Sequence, residues 1–207
     1  MAYSKFSLKT VKETFGITLI EDQSLFDLSQ IPSVTISPYL ELTLAEGTSM
    51  ALAINTEKSR SEWIIAPILT EVRKQVHAQI SLFSGRSFTV DRKRGLYGQC
   101  DYLLSLSPEQ LYIAAPAIAV VEAKKEDIVA GLGQCIATMY AAWLFNEREN
   151  RPLPWIYGAV TTGTTWKFLK LRDRTVYIDR DEYYFKEIQT ILGIFQVILK
   201  IIDHPEE

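Results

Sequence analysis

"IAVVEAKKED" (residues 118–127) begins as an apolar run and then delivers Glu122, Lys124 and Lys125 in quick succession. The run reads as a strand deep in a core. Side chains two apart on a strand point to the same face, so Glu122 and Lys124 project together while Val121 and Ala123 project to the other side. A carboxylate and an ammonium delivered side by side from a core strand require a chemical reason.

The segments around this strand fix its setting. Upstream, "SFTVDR" (87–92) and "YGQCDYLLSL" (97–106) read as two further strands, with "AIAVVEAK" (117–124) as the third. Helical spacing follows over 126–147, where small residues on one side permit close docking on a sheet. "WIYGAVTT" and "TWKFLKL" flank Gly163 as a hairpin, "TVYID" (175–179) adds a strand, and 183–202 closes the chain as an amphipathic helix. Before the strands, 55–76 carries apolar residues at 64, 65, 68, 69, 72 and 76, one helical face. Ser59 or Ser61 is its expected cap, and Pro67 is tolerable only near its first turns. Residues 5–15 read as a short helix, and 38–53 as a helical or mixed stretch interrupted by Gly47. The expected fold is therefore α/β: a mixed central β-sheet flanked by helices. It forms a single domain, with 1–55 as a helical N-terminal elaboration packed on a core of 56–207.

Composition sets bounds on function. The 207 residues are 47% hydrophobic and 23% charged, an ordinary globular balance able to bury a full core. A net charge of −3 argues against a surface that adheres everywhere to nucleic acid or anionic lipid, and leaves room for a local basic groove. Cys100 and Cys135 lack CxxC spacing and read as reduced, buried thiols. No export signal is visible near Met1 and no apolar run approaches a membrane span, so the expectation is a cytoplasmic, soluble protein without a membrane partner. His77 and His204 are isolated and take no role.

If the 97–106 and 117–124 strands are neighbours, Asp101 sits across from Glu122 and Lys124, and two carboxylates share a patch with one ammonium. Carboxylate oxygens with positions left for water and phosphate are what Mg²⁺ accepts. Lys124 beside a metal can orient a water or neutralise developing charge. Gln134, on the following helix, can aim its amide at the same patch.

"GQCDY", "VVEAK" and "GQCIATMYAA", in this order of elements, resemble the PD-(D/E)xK, restriction-endonuclease-like nuclease superfamily over residues 60 to about 172. The resemblance implies a nuclease core and phosphodiester hydrolysis with Mg²⁺ or Mn²⁺. It assigns Asp101 and Glu122 as metal ligands, Lys124 as the catalytic lysine, and Gln134 as the helix glutamine. It also implies an acid on the first core helix, where Glu62 and Glu71 compete; nine positions at about 100° each put them on opposite faces. Glu62 is favoured by "SEWIIAPIL". Asp101 lacks the preceding proline of the family pattern. The implied partner is nucleic acid, foremost DNA; the oligomeric state is left open by the sequence, a homodimer included.

Plainer readings exist for each residue. Glu122 and Lys124 can be a surface ion pair, Asp101 a strand-end residue bonded to a turn, Gln134 a polar residue on a docked helix, and Glu62 a first-turn acid favoured by the helix dipole. The basic "DRKRG" (91–95) can be a solvated turn, Trp166 can be core, and "GLGQ" (131–134) reads as close helix packing. On the functional side, the alternative is a catalytically inactive nuclease-fold binding module in a defence or DNA-processing complex.

Overall fold

The computed structural model describes residues 2–76 and 79–200; His77, His204 and the expected last turn at 201–202 lie outside them. The fold is mixed α/β. Eight strands form one sheet in the order β1-β7-β6-β5-β4-β3-β2, with β8 also on β6. They are β1 (Thr18–Ile20), β2 (Ser81–Asp91), β3 (Leu96–Ser105), β4 (Ala117–Ala123), β5 (Ile156–Thr161), β6 (Thr165–Arg172), β7 (Thr175–Ile178) and β8 (Tyr183–Tyr184). β2, β3 and β4 run antiparallel in succession, β5 is parallel to β4, and β6 and β7 return antiparallel. Parallel β4 and β5 need a long crossover, supplied by the helix α5 (Ile128–Arg148).

Helices cover both faces. On one lie α1 (Leu8–Phe15) and α5, packed on Leu103, Val120, Val160 and Leu169. On the other lie α2 (Pro38–Ile54), α3 (Glu57–Arg60), α4 (Ala66–Gln75) and α6 (Ile188–Lys200), packed on Tyr102, Val121, Ala123 and Phe168. The alternation of Val120 with Val121 and Ala123 between the two cores is the strand period written in apolar residues. α5 is long and apolar because it is a core helix, with 61% of its most apolar 18-residue stretch buried inside the protein.

Several elements depart from the expectation. The 55–76 helix is capped by Thr56, not by Ser59 or Ser61: the Thr56 hydroxyl accepts the Ser59 N–H, and the Ser59 hydroxyl accepts the Thr56 N–H in return. Between α3 and α4 the helix widens into a π turn over Ser61–Ile65. Pro67 has no N–H to give the Trp63 carbonyl four residues back, and the wider turn accommodates that loss. α2 runs unbroken through Gly47, which is there for closeness: a Cβ would stand 3.1 Å from the Trp63 oxygen. β2 starts six residues before the expected strand, and the N-terminal elaboration contributes β1, paired with β7, as well as helices. The last helix begins at Ile188, because Tyr183 and Tyr184 pair with β6 instead.

The N-terminal segment is docked on α5 through a glycine. A Cβ at Gly133 would lie 2.4 Å from the Ser7 carbonyl carbon and 2.5 Å from the Phe6 oxygen, both backbone atoms. Gly133→Ala is expected to destabilise the protein by about 1–3 kcal/mol in urea unfolding, the cost of overpacking. Val129→Ala, at a position 64% exposed on the same helix, should stay within about 0.5 kcal/mol of wild type.

Candidate metal and catalytic site

The β3–β4 ladder stops at the rung Tyr102–Val121. The next rung would set Asp101 against Glu122; there the Asp101 side chain takes over, its Oδ2 accepting the Ala123 N–H at 2.8 Å. Glu122 follows Val120 by two and so belongs to the α5 side of the sheet; Asp101 stands where the alternation of β3 breaks, between Cys100 and Leu103 that both pack on that side, and its charge bears directly on Glu122. Lys124 continues that face. Its N–H bonds Thr161 O of β5 at 2.8 Å, and its Nζ donates to Glu122 Oε1 at 2.6 Å. α5 makes room for the lysine stem at Gly131, where a Cβ would meet Lys124 Cγ at 3.0 Å and Val160 Cγ1 at 2.6 Å. Asp101, Glu122 and Lys124 thus come together in one patch at the ends of β4 and β5.

The patch is electrostatically strained. Glu122 is 4% exposed, and burial followed by the Asp101 charge pushes its carboxyl up to about 8 from an ordinary 4.5, against the lowering effect of Lys124. Burial also works against the Lys124 ammonium, yet Glu122 outweighs it and the lysine pKa is raised. One ammonium does not neutralise two close carboxylates, so near neutral pH Glu122 retains its proton.

Other buried carboxylates of this chain are treated differently. Glu71 accepts the Ser37 hydroxyl at 2.7 Å, the Ser37 N–H at 3.3 Å and Gln75 Nε2 at 3.4 Å, bracing the start of α2. Asp179 accepts the Leu25 and Asp181 N–H groups and the Tyr183 hydroxyl. Both have donors for a structural role. Glu122 has one ammonium and a like charge.

The remaining candidates are placed as follows. Glu62 lies on the π turn with its side chain 57% exposed, in an ion pair with Lys58 at 3.7 Å. Glu71 is the inward acid of the pair, committed to Ser37. Gln134 is partly buried one turn beyond Gly131 on α5. Trp166 is fully buried core, its Nε1 bonded to Gly163 O, and Lys167 donates to Arg180 O. In the 91–95 loop, Arg94 stacks over Phe15 and Tyr140 and Arg92 over Tyr97, so the loop's two arginines lie against the protein's own rings. Cys100 and Cys135 are buried free thiols.

Arg60 is the residue that the sequence reading passes over. It shares the 60, 64, 68 spacing of the buried Ile64 and Ile68, a signal that it faces inward, and its Nη1 donates to Thr162 O at 2.9 Å. It lines an open groove of about 470 Å³ beside the patch, together with Lys125, Asp127, Thr162, Thr164 and Glu182.

Among the described residues no group of three His, Cys, Asp or Glu side chains is arranged to hold a metal. The donor set is two carboxylates on adjacent strands. Oxygen ligands of this kind, with other positions left to water and substrate, fit Mg²⁺ or Mn²⁺, and a divalent charge is what two crowded carboxylates lack.

A raised carboxyl makes the folded chain bind a proton that the unfolded chain has released. Glu122 therefore contributes stability that is full below pH about 4.5 and is lost as pH rises through about 8. In chelator, urea unfolding across pH 5 to 9 should show that decline, with a slope approaching ~1.4 kcal/mol per pH unit. Glu122→Gln should remove this component. Asp101→Asn should flatten it and keep or raise stability at the alkaline end, since the amide oxygen can still accept the Ala123 N–H. A large loss on Asp101→Asn would show the carboxylate to be purely structural.

Compared with known proteins, the chain matches no family model and no curated protein.

Proposed function

We propose that this protein is a divalent-metal-dependent nuclease, with a restriction-endonuclease-like core, that hydrolyses phosphodiester bonds of nucleic acid, foremost DNA. The carrying observation is the convergence of Asp101, Glu122 and Lys124 where the β3–β4 ladder ends, two carboxylates and an ammonium without structural donors enough for both charges. The order of elements supports it: a helix, three antiparallel strands, a helix and a parallel strand.

Asp101 and Glu122 would hold Mg²⁺ or Mn²⁺. Such an ion, when bound, supplies a water of lowered pKa and a positive charge beside the phosphoryl oxygens. Glu122 must shed its proton to serve as a ligand, so metal affinity rises with pH. Lys124, held at the patch by its own N–H to Thr161 and by the space at Gly131, would set its ammonium beside the phosphoryl oxygens, where negative charge develops.

Cleavage is measured with Mg²⁺ or Mn²⁺, and binding in Ca²⁺, on single- and double-stranded DNA and RNA. Lys124→Ala is expected to leave binding within a few-fold and to slow cleavage by on the order of 10² or more. Lys124→Arg should not restore the rate, because a planar guanidinium does not replace a compact ammonium. Equal cleavage by all three proteins overturns the mechanism. Tight binding with no wild-type cleavage on any substrate makes the chain a binding module instead.

A further inference from the structure

Residues 1–16 carry Lys5, Lys9 and Lys12 against one acid, Glu13, in a chain whose net charge is −3. All three lysines are exposed, and among the described residues none of them is in an ion pair. α1 turns Val11 and Phe15 inward, and Lys9 and Lys12, three apart, are neighbours on its exposed surface. The helix itself does not call for them. It has no acid in its first turn, and Lys9 lies in that turn, where the helix dipole disfavours a cation.

The row has a direction. α1 runs parallel to α5, with Ser7 against Gly133 and the Phe15 ring stacked on Tyr140 at 4.8 Å. Gly131, two residues before Gly133, faces Lys124. Two residues turn a helix by about 200°, so only the width of α5 separates the Lys124 stem from the start of α1. The lysines therefore begin beside the Asp101, Glu122 and Lys124 patch and lead away along a helix of 8 residues. That is about 12 Å at 1.5 Å per residue, or three to four base steps at about 3.4 Å each. At the far end stand two exposed guanidiniums: Arg94 over the Phe15 ring at 5.3 Å, and Arg174, whose Nη1 would lie 3.5 Å from a Cβ at Gly16.

Unpaired cations in a row take a polyanion, and the apolar pattern decides which. Val11 and Phe15 are spent on the protein's own core, and no large apolar side chain of residues 2–16 is exposed, so this segment has nothing to insert into a bilayer. Continuity with the patch fits a phosphate backbone instead. We propose that Lys5, Lys9 and Lys12 form the tract that binds the phosphate backbone of the nucleic acid led to the patch, an inference that rests on the nuclease reading for its partner. Contacts of this kind set position along the strand and read no bases.

Binding of labelled single-stranded and duplex oligonucleotides is measured in Ca²⁺ over roughly 50 to 200 mM salt, and cleavage in Mg²⁺. Lys5→Ala, Lys9→Ala and Lys12→Ala combined should weaken binding at least about tenfold and reduce the slope of log affinity against log salt by roughly 2 to 3, one phosphate contact for each lysine. The three Lys→Arg changes combined should keep both, and Lys58→Ala, at a lysine paired with Glu62, should change neither. In cleavage the triple Ala variant should raise KM and leave kcat within a few-fold, the opposite of Lys124→Ala. An unchanged affinity and slope in the triple Ala variant overturns the proposal. So does a wild type that binds phosphatidylserine vesicles through these lysines and no oligonucleotide. Binding that depends on the lysines without any cleavage upholds the tract and sinks the nuclease reading, whereas cleavage with an unchanged KM in the triple Ala variant does the reverse.

Discussion

All seven residues of β4 are buried, Glu122 included, because helices close over both faces of the sheet at its centre. A carboxylate in that position cannot rely on water. Its neighbourhood follows from this constraint: an ammonium two residues on, a backbone left open for Asp101 where the ladder ends, and a glycine on α5 so that the lysine stem can lie flat. The surrounding helices hold these groups in place, and the sheet fixes which atoms meet.

The acids inside the protein differ in how their charges are met. Glu71 and Asp179 are each satisfied by several donors and tie distant segments together, Ser37 to α4 and Leu25 to the end of β7. Glu122 and Asp101 are arranged so that their charges conflict. Local conflict inside an otherwise consistent fold is where function is expected to be found, since a purely structural optimum would have replaced one of them.

How much of this was legible depends on the period. Strand alternation sends Glu122 and Lys124 to one face without any tertiary knowledge, and adjacency of consecutive strands carries Asp101 to the same patch. The glycines of 131–134 were readable as close packing. The first helix was not. Glu62 and Glu71 do face opposite ways, but the inward one serves Ser37, and nothing in the sequence announces that α2 begins beside it. The π turn at Ser61–Ile65 adds width that a uniform 100° count omits. β1 has only three residues and so no pattern to read, and the start of β2 is masked by Ser84 and by Gly85, whose positive φ interrupts the alternation expected of a strand.

The pairing of β1 with β7 joins Thr18–Ile20 to Thr175–Tyr177, about three quarters of the chain apart. During synthesis the first strand leaves the ribosome long before its partner exists, and β7 cannot be covered until almost everything else has been made. Such a long-range closure raises the mean separation of contacts, which slows folding, and leaves the edge of the sheet to be completed late. The glycine against which Phe6 and Ser7 lie, Gly133, belongs to α5, which ends before β7 begins, so the docking site of the N-terminal segment is made before the strand that pairs with β1.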